Sequence, residues 1–101
     1  MIEIPITQED IDAGVPDYTE PDRCVIARAI KRRLENEIVL VGWKDLYIGE
    51  NWDAYQFDEA LIKFATNIRD AFHEIPHPPI LPGVIYLDKQ TMTASYEKKL
   101  G

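Results

Sequence analysis

The chain has 101 residues, 46% of them hydrophobic and 29% charged, with a formal net charge of −7. That is room for one domain and one modest core, and the acidic excess excludes sequence-independent binding to long duplex DNA, which needs a broad basic face. No apolar run is long enough for a transmembrane helix, MIEIPITQED lacks the basic-then-apolar pattern of a signal peptide, and the single cysteine, Cys24, rules out an internal disulfide and agrees with a reducing cytoplasm.

Residues 2–7, IEIPIT, are β-branched and read as an edge strand, since Pro5 cannot donate to a ladder. Thr7 then caps a short helix at QEDIDA, with Asp10 as its capping-box partner, and Gly14 suits the helix C-cap. VPDYTEP reads as a loop. The next helix is predicted from Pro21 to about Leu34, with Thr19 or Glu20 as cap. Ile26, Ala27, Ile30 and Leu34 fall on one stripe as its core face, and Val25, Arg28 and Arg32 lie opposite.

Charge is segregated across this boundary. Residues 1–22 carry seven acids and no base, whereas residues 23–33 carry Arg23, Arg28, Lys31, Arg32 and Arg33 and no acid. An acidic arm is followed at once by a basic helix. The two could pair within one chain or across a dimer, or the arm could face a partner.

Residues 37–57 split into three short strands, about 37–42, 46–49 and 52–57, with turns near Trp43 and near Gly49-Glu50-Asn51. Such a meander needs a helix to cover it. Asp58 caps a helix over 59–73, whose apolar stripe is Leu61, Phe64, Ala65, Ile68 and Phe72. IPHPPILPG is extended and loop-like, and VIYL, residues 84–87, is a last strand. Residues 88–101, DKQTMTASYEKKLG, are polar. They are expected to fray or to be borrowed by a partner, leaving 1–87 as the single domain. The order β-α-α-β-β-β-α-β predicts an α+β fold with two helices packed on one face of a small, mainly antiparallel sheet.

His73-Glu74-Ile75-Pro76-His77 fits the H-E-x-x-H zinc-protease pattern, which needs both imidazoles on one continuous helix. Pro76 lacks the N–H for a bond back to Phe72, its ring crowds that carbonyl, and helix continuation would cost about 3 kcal/mol. Pro76 and Pro78 also push the residues before them out of α geometry. The helix should therefore end near His73, and no catalytic metal site is expected. Cys24, near Arg23 and Arg28 at a helix start, has surroundings that favour a thiolate, but it reads as a structural cysteine. No glycine-rich phosphate loop is present.

The most suggestive constellation is Arg28, Lys31 and Arg32 beside a meander bearing Trp43, Tyr47, Trp52 and Tyr55. Guanidinium groups fork onto phosphate and aromatic faces stack on bases, so Arg28, Lys31, Arg32, Trp43 and Tyr47 are the candidate ligand-binding residues for a nucleotide-like anion, with a homodimer interface as its setting. Two or three of the four aromatics are expected in the core of so small a chain. The competing reading makes the acidic arm, with Asp10, Asp12, Asp17 and Glu20, the contact for a basic surface on another protein. Neither reading calls for a cofactor.

The stretches ITQEDIDAG, CVIARAI and FDEALIKFATNIRDAF together resemble a family of small proteins of phages and prophages. Its members tend to carry I/V-T-x-E-H-I-x-x-G, then Cys-Pro-hydrophobic-Ala-x-Ala-hydrophobic, then a helix ending before a proline-rich strand. Ile6, Thr7, Glu9, Ile11, Gly14, Cys24, Ala27, Ala29 and Ile30 match; Asp10 replaces the usual His and Val25 the usual Pro. The resemblance implies a phage setting and no catalytic residues. In that setting, small acidic proteins resemble anti-CRISPR inhibitors of host nucleoprotein complexes or sponges for cyclic nucleotide signals. The expected function is therefore non-enzymatic: countering a host defence by sequestering a nucleotide-like signal or, alternatively, by stoichiometric binding to a defence protein.

Overall fold

The computed structural model describes residues 1–14 and 22–98. Thr7 accepts the backbone N–H of Asp10 at 3.2 Å, and Asp10 accepts the backbone N–H of Thr7 at 3.0 Å. This reciprocal capping box starts helix α1 (Gln8–Ala13), directly after strand β1 (Ile2–Pro5). Gly14 closes α1 by donating to the Asp10 carbonyl at 2.9 Å. The predicted caps Thr19 and Glu20, and the first-turn Pro21, lie outside the described residues.

Helix α2 spans Val25–Leu34, starting later than the expected Pro21. Its N-cap is Cys24, whose Sγ accepts the Ala27 N–H at 3.4 Å. The thiol is buried. Val25, placed by helical spacing on the wet side, is fully buried. α2 packs on α1 as well as on the sheet, so its buried arc is wider than a single-sided amphipathic stripe.

The meander forms β2 (Val39–Val41), β3 (Asp45–Ile48) and β4 (Asp53–Phe57). Asp58 caps α3 (Glu59–Phe72) by accepting the Leu61 N–H at 2.8 Å. β5 (Gly83–Asp88) then pairs with β1 on one side. On its other side lies β6 (Thr93–Lys98), a strand where the sequence suggested a frayed tail. The domain therefore extends to Lys98. TASYEK carries too few large apolar residues to read as a strand. Its one fully buried residue, Ala94, is small because α3 lies directly above it.

The fold is α+β, as expected: one six-stranded sheet in the order β1-β5-β6-β4-β3-β2, antiparallel except for the parallel β4–β6 pair. Strand registers place Ile4, Ile85, Leu87, Ala94, Tyr55, Phe57, Leu46, Ile48, Val39 and Val41 on the same face, and all are buried. α3 covers β6 and β4 in the middle, while α2 touches both edge strands, β1 and β2. The sheet therefore curls around α2, and the core lies between that single face and the two helices.

Gly83 marks a close approach. A Cβ there would sit 2.6 Å from the Glu97 carbonyl oxygen and 2.6 Å from the Tyr96 ring. Gly83→Ala should destabilise the fold by about 1–3 kcal/mol through this overpacking, and urea unfolding followed by circular dichroism would measure it; an unchanged midpoint would contradict the close approach.

Candidate functional site

The basic helix and the acidic arm meet inside the molecule. Asp10 is only 1% exposed. Its Oδ1 accepts a hydrogen bond from Arg32 Nη1 and lies 3.9 Å from Arg28 Nε. Arg32 Nη2 also donates to the Pro5 carbonyl at 2.9 Å. One guanidinium thus joins β1, α1 and α2. Burial pushes the Asp10 carboxyl up, but the hydrogen bond from Arg32 and that from the Thr7 backbone outweigh it, and the net shift is downward. The same bond to Asp10 raises Arg32.

This pairing removes three sequence-based candidates, Arg32, Arg28 and Asp10, from their expected roles. Arg32 forms an internal ion pair, so it is not an open phosphate fork, and Arg28 flanks the same carboxylate. Asp10 is buried in that pair and presents no surface to a partner. Asp12 remains exposed and accepts from the Gln8 side chain at 2.9 Å. Asp17 and Glu20 lie outside the described residues. Lys31 is half-buried on α2. The segregation of charge in the sequence is thus, in part, a local structural contact.

The aromatics do not join the basic helix either. Only Tyr55 of the four is buried, against the expected two or three. Strand register turns Leu46 and Ile48 inward and Tyr47 outward, where its hydroxyl donates to Asp45 at 3.2 Å. That hydrogen bond to Asp45 raises the phenol. Trp52 sits exposed in the β3–β4 turn with φ of 55°, a left-handed conformation uncommon for a bulky residue. Trp43 stands in the tight β2–β3 connection and is 61% exposed.

Trp43 is instead held by α3. The Arg69 guanidinium carbon lies 4.1 Å from the centroid of its ring, a cation–π contact. Arg69 is 5% exposed, although sequence periodicity points Phe72 toward the core there. Phe72 is exposed, with its ring edge-on to His73 at 5.5 Å between centroids. Trp43, Thr66, Arg69, Asp70 and His73 line an open cleft of about 360 Å³. Arg69 escaped the sequence reading, and His73 entered it only as a helix end and a metal-ligand candidate; the available signal was an arginine on the flank of an apolar stripe, one helical turn before a proline-blocked helix end.

His73 ends α3, as proline stiffness requires, and Glu74 turns left-handed with φ of 59°. His77 lies beyond, with Nδ1 2.7 Å from the Pro78 carbonyl oxygen. The two imidazoles do not share a helical face, so the H-E-x-x-H pattern has no structural counterpart. Among the described residues, no three His, Cys, Asp or Glu side chains converge as metal ligands, and no helix is long and apolar enough to cross a membrane. No known protein family, curated protein or solved structure matches the chain.

Proposed function

We propose that the chain is a non-enzymatic binding protein that engages a protein partner stoichiometrically through the end of the molecule built by the β2–β3 turn and the C-terminus of α3. The observation that carries this reading is Trp43: a large aromatic left exposed, yet fixed against a buried arginine at the rim of a cleft. Trp and Arg are the residue types that dominate binding energy at protein interfaces, and a pre-positioned ring loses little freedom on binding. Phe72, the last residue of α3, is also exposed. The net charge of −7 favours a basic partner by steering its approach. The phage setting, which rests on the resemblance of the matched motifs, makes a cytoplasmic host defence protein the natural target.

Trp43→Ala should leave the fold intact, since the ring is mostly exposed, and should weaken partner binding by at least about 2 kcal/mol, roughly 30-fold in Kd. Comparing proteins captured from a bacterial lysate by the wild type and by this variant would check it. Equal capture of the same partner by both would remove Trp43 from the interface.

The outer face of Trp43, with Thr66 and His73 nearby, favours one second reading: stacking of a nucleobase in the same cleft. A nucleotide ligand at 100 times its Kd should then stabilise the protein by about 2.7 kcal/mol. Thermal unfolding against mono- and cyclic nucleotides separates the two readings, because a protein-only site gives no shift.

A further inference from the structure

Residues 75–82, IPHPPILP, lie outside the helices and the sheet. Seven of its eight residues are proline or precede proline, Ile80 being the exception. Proline fixes φ near −65°, and the residue before a proline is driven to extended geometry. The favoured conformation is therefore polyproline II, with three residues per turn and a rise of about 3.1 Å.

That period sorts the segment into three ridges. Pro76, Pro79 and Pro82 align on one, about 9 Å apart. Ile75, Pro78 and Leu81 align on the second. His77 and Ile80 fall on the third, and Ile80 packs against the core. Ile75, Pro76, Pro78, Pro79 and Leu81 are all exposed. The Leu81 carbonyl accepts the Tyr96 hydroxyl at 3.1 Å, which ties the end of the segment to β6. Ile80 and the Leu81 carbonyl thus anchor the segment, and Ile75, Pro76, Pro78, Pro79 and Leu81 stand exposed in the hydrophobic-Pro steps Ile75-Pro76, Pro78-Pro79 and Leu81-Pro82.

The geometry points to this segment as a pre-ordered polyproline II ligand, read by a partner protein that carries an aromatic-lined groove. Such grooves accept hydrophobic-Pro steps at this spacing, and a ligand already held in shape loses little entropy on docking. Of its large apolar side chains, Ile80 is partly buried against the core, whereas Ile75 and Leu81 are displayed, 48% and 38% exposed. The inference deepens the reading of the protein as a binder of another protein, and it specifies the partner's surface.

Titration calorimetry of the full chain against a purified SH3 domain and a purified WW domain tests it. Binding to at least one is expected in the micromolar range, with displacement by a polyproline peptide. The Pro76→Ala/Pro79→Ala double variant should bind at least tenfold more weakly. Ile75→Ser, a single exposed change, should weaken binding in the same direction and serves if the double variant loses its circular dichroism signature. No binding to either domain, or binding unchanged in these variants, overturns the inference. Trp43→Ala should bind these domains as the wild type does. Loss of a host partner in Trp43→Ala alone, with the proline variants unaffected, would refute the ridge and leave the cleft reading standing; the opposite pattern would do the reverse.

Discussion

Deleting residues 93–98 is expected to abolish cooperative folding. β6 exchanges register with β5 along six residue pairs, from Gly83↔Lys98 to Asp88↔Thr93, and meets β4 on its other side at Gln56↔Thr93 and Phe57↔Ala94. The Asp58 N–H donates to the Ala94 carbonyl at 2.9 Å, so the start of α3 is also fixed by this strand. Tyr96 stacks on Phe64 of α3 with ring centroids 4.4 Å apart. Without β6 the sheet divides into a β1–β5 pair and a β4–β3–β2 meander, each with a raw edge. A domain of this size has a total stability of about 5–15 kcal/mol, and losing a central strand exceeds it. Near-ultraviolet circular dichroism should flatten and denaturant curves should lose their sigmoid. Tyr96→Ala gives a graded version, costing about 2–3 kcal/mol through the loss of a partly buried ring and its stack. A sharp unfolding transition in the deletion variant would contradict the central placement of this strand.

The second large effect is expected at Asp10. Asp10→Ala removes the capping-box acceptor, worth about 1 kcal/mol, and the charged hydrogen bond from Arg32, worth about 1.5–3 kcal/mol. A loss of about 2–4 kcal/mol at neutral pH follows, because both arginines are partly exposed and regain water. The carboxyl is held below its usual range in the folded chain, so its contribution is fully present above the ordinary aspartate value of about 3.9 and disappears as pH falls through the lowered folded value. The gap between the wild type and Asp10→Asn should therefore be widest near neutrality and close in strong acid. Arg32→Met should act oppositely on the carboxyl: with its main donor gone, burial dominates and Asp10 should titrate upward. Urea unfolding between pH 2 and 7 measures the first, and carboxyl NMR titration the second. A pH-independent gap would place the charge of Asp10 outside the stability of the fold.

Local signals in the sequence carried most of the architecture. Thr7 and Asp10 announce a capping box, Asp58 announces α3, and Pro76 ends it; each acts over three or four residues, within reach of a linear reading. β6 escaped because a strand beneath a helix needs small residues, and TASYEK looks polar until Ala94 and Tyr96 are seen on the same inner face. Site residues were less legible for the same reason. The Asp10–Arg32 contact spans 22 residues of sequence, and nothing local tells an arginine that pairs inward from one that waits for phosphate. The sequence pairs Trp43 with Arg28 and Arg32 of α2 as ligand-binding residues, but its neighbour is Arg69 of α3. That juxtaposition depends on how the meander lies against α3, which neither periodicity nor composition encodes.

The placement of β6 also constrains how the molecule is made. It is the last described strand to leave the ribosome, yet its seat lies between two strands synthesised before it. Until residues 93–98 emerge, the nascent chain holds two half-sheets whose facing rims cannot close on each other. Contacts so distant along the chain form slowly and leave an interval open to misassembly. Translation speed while residues 93–98 emerge, and chaperones that shield bare strand rims, should therefore govern the yield of folded protein more than the early helices do.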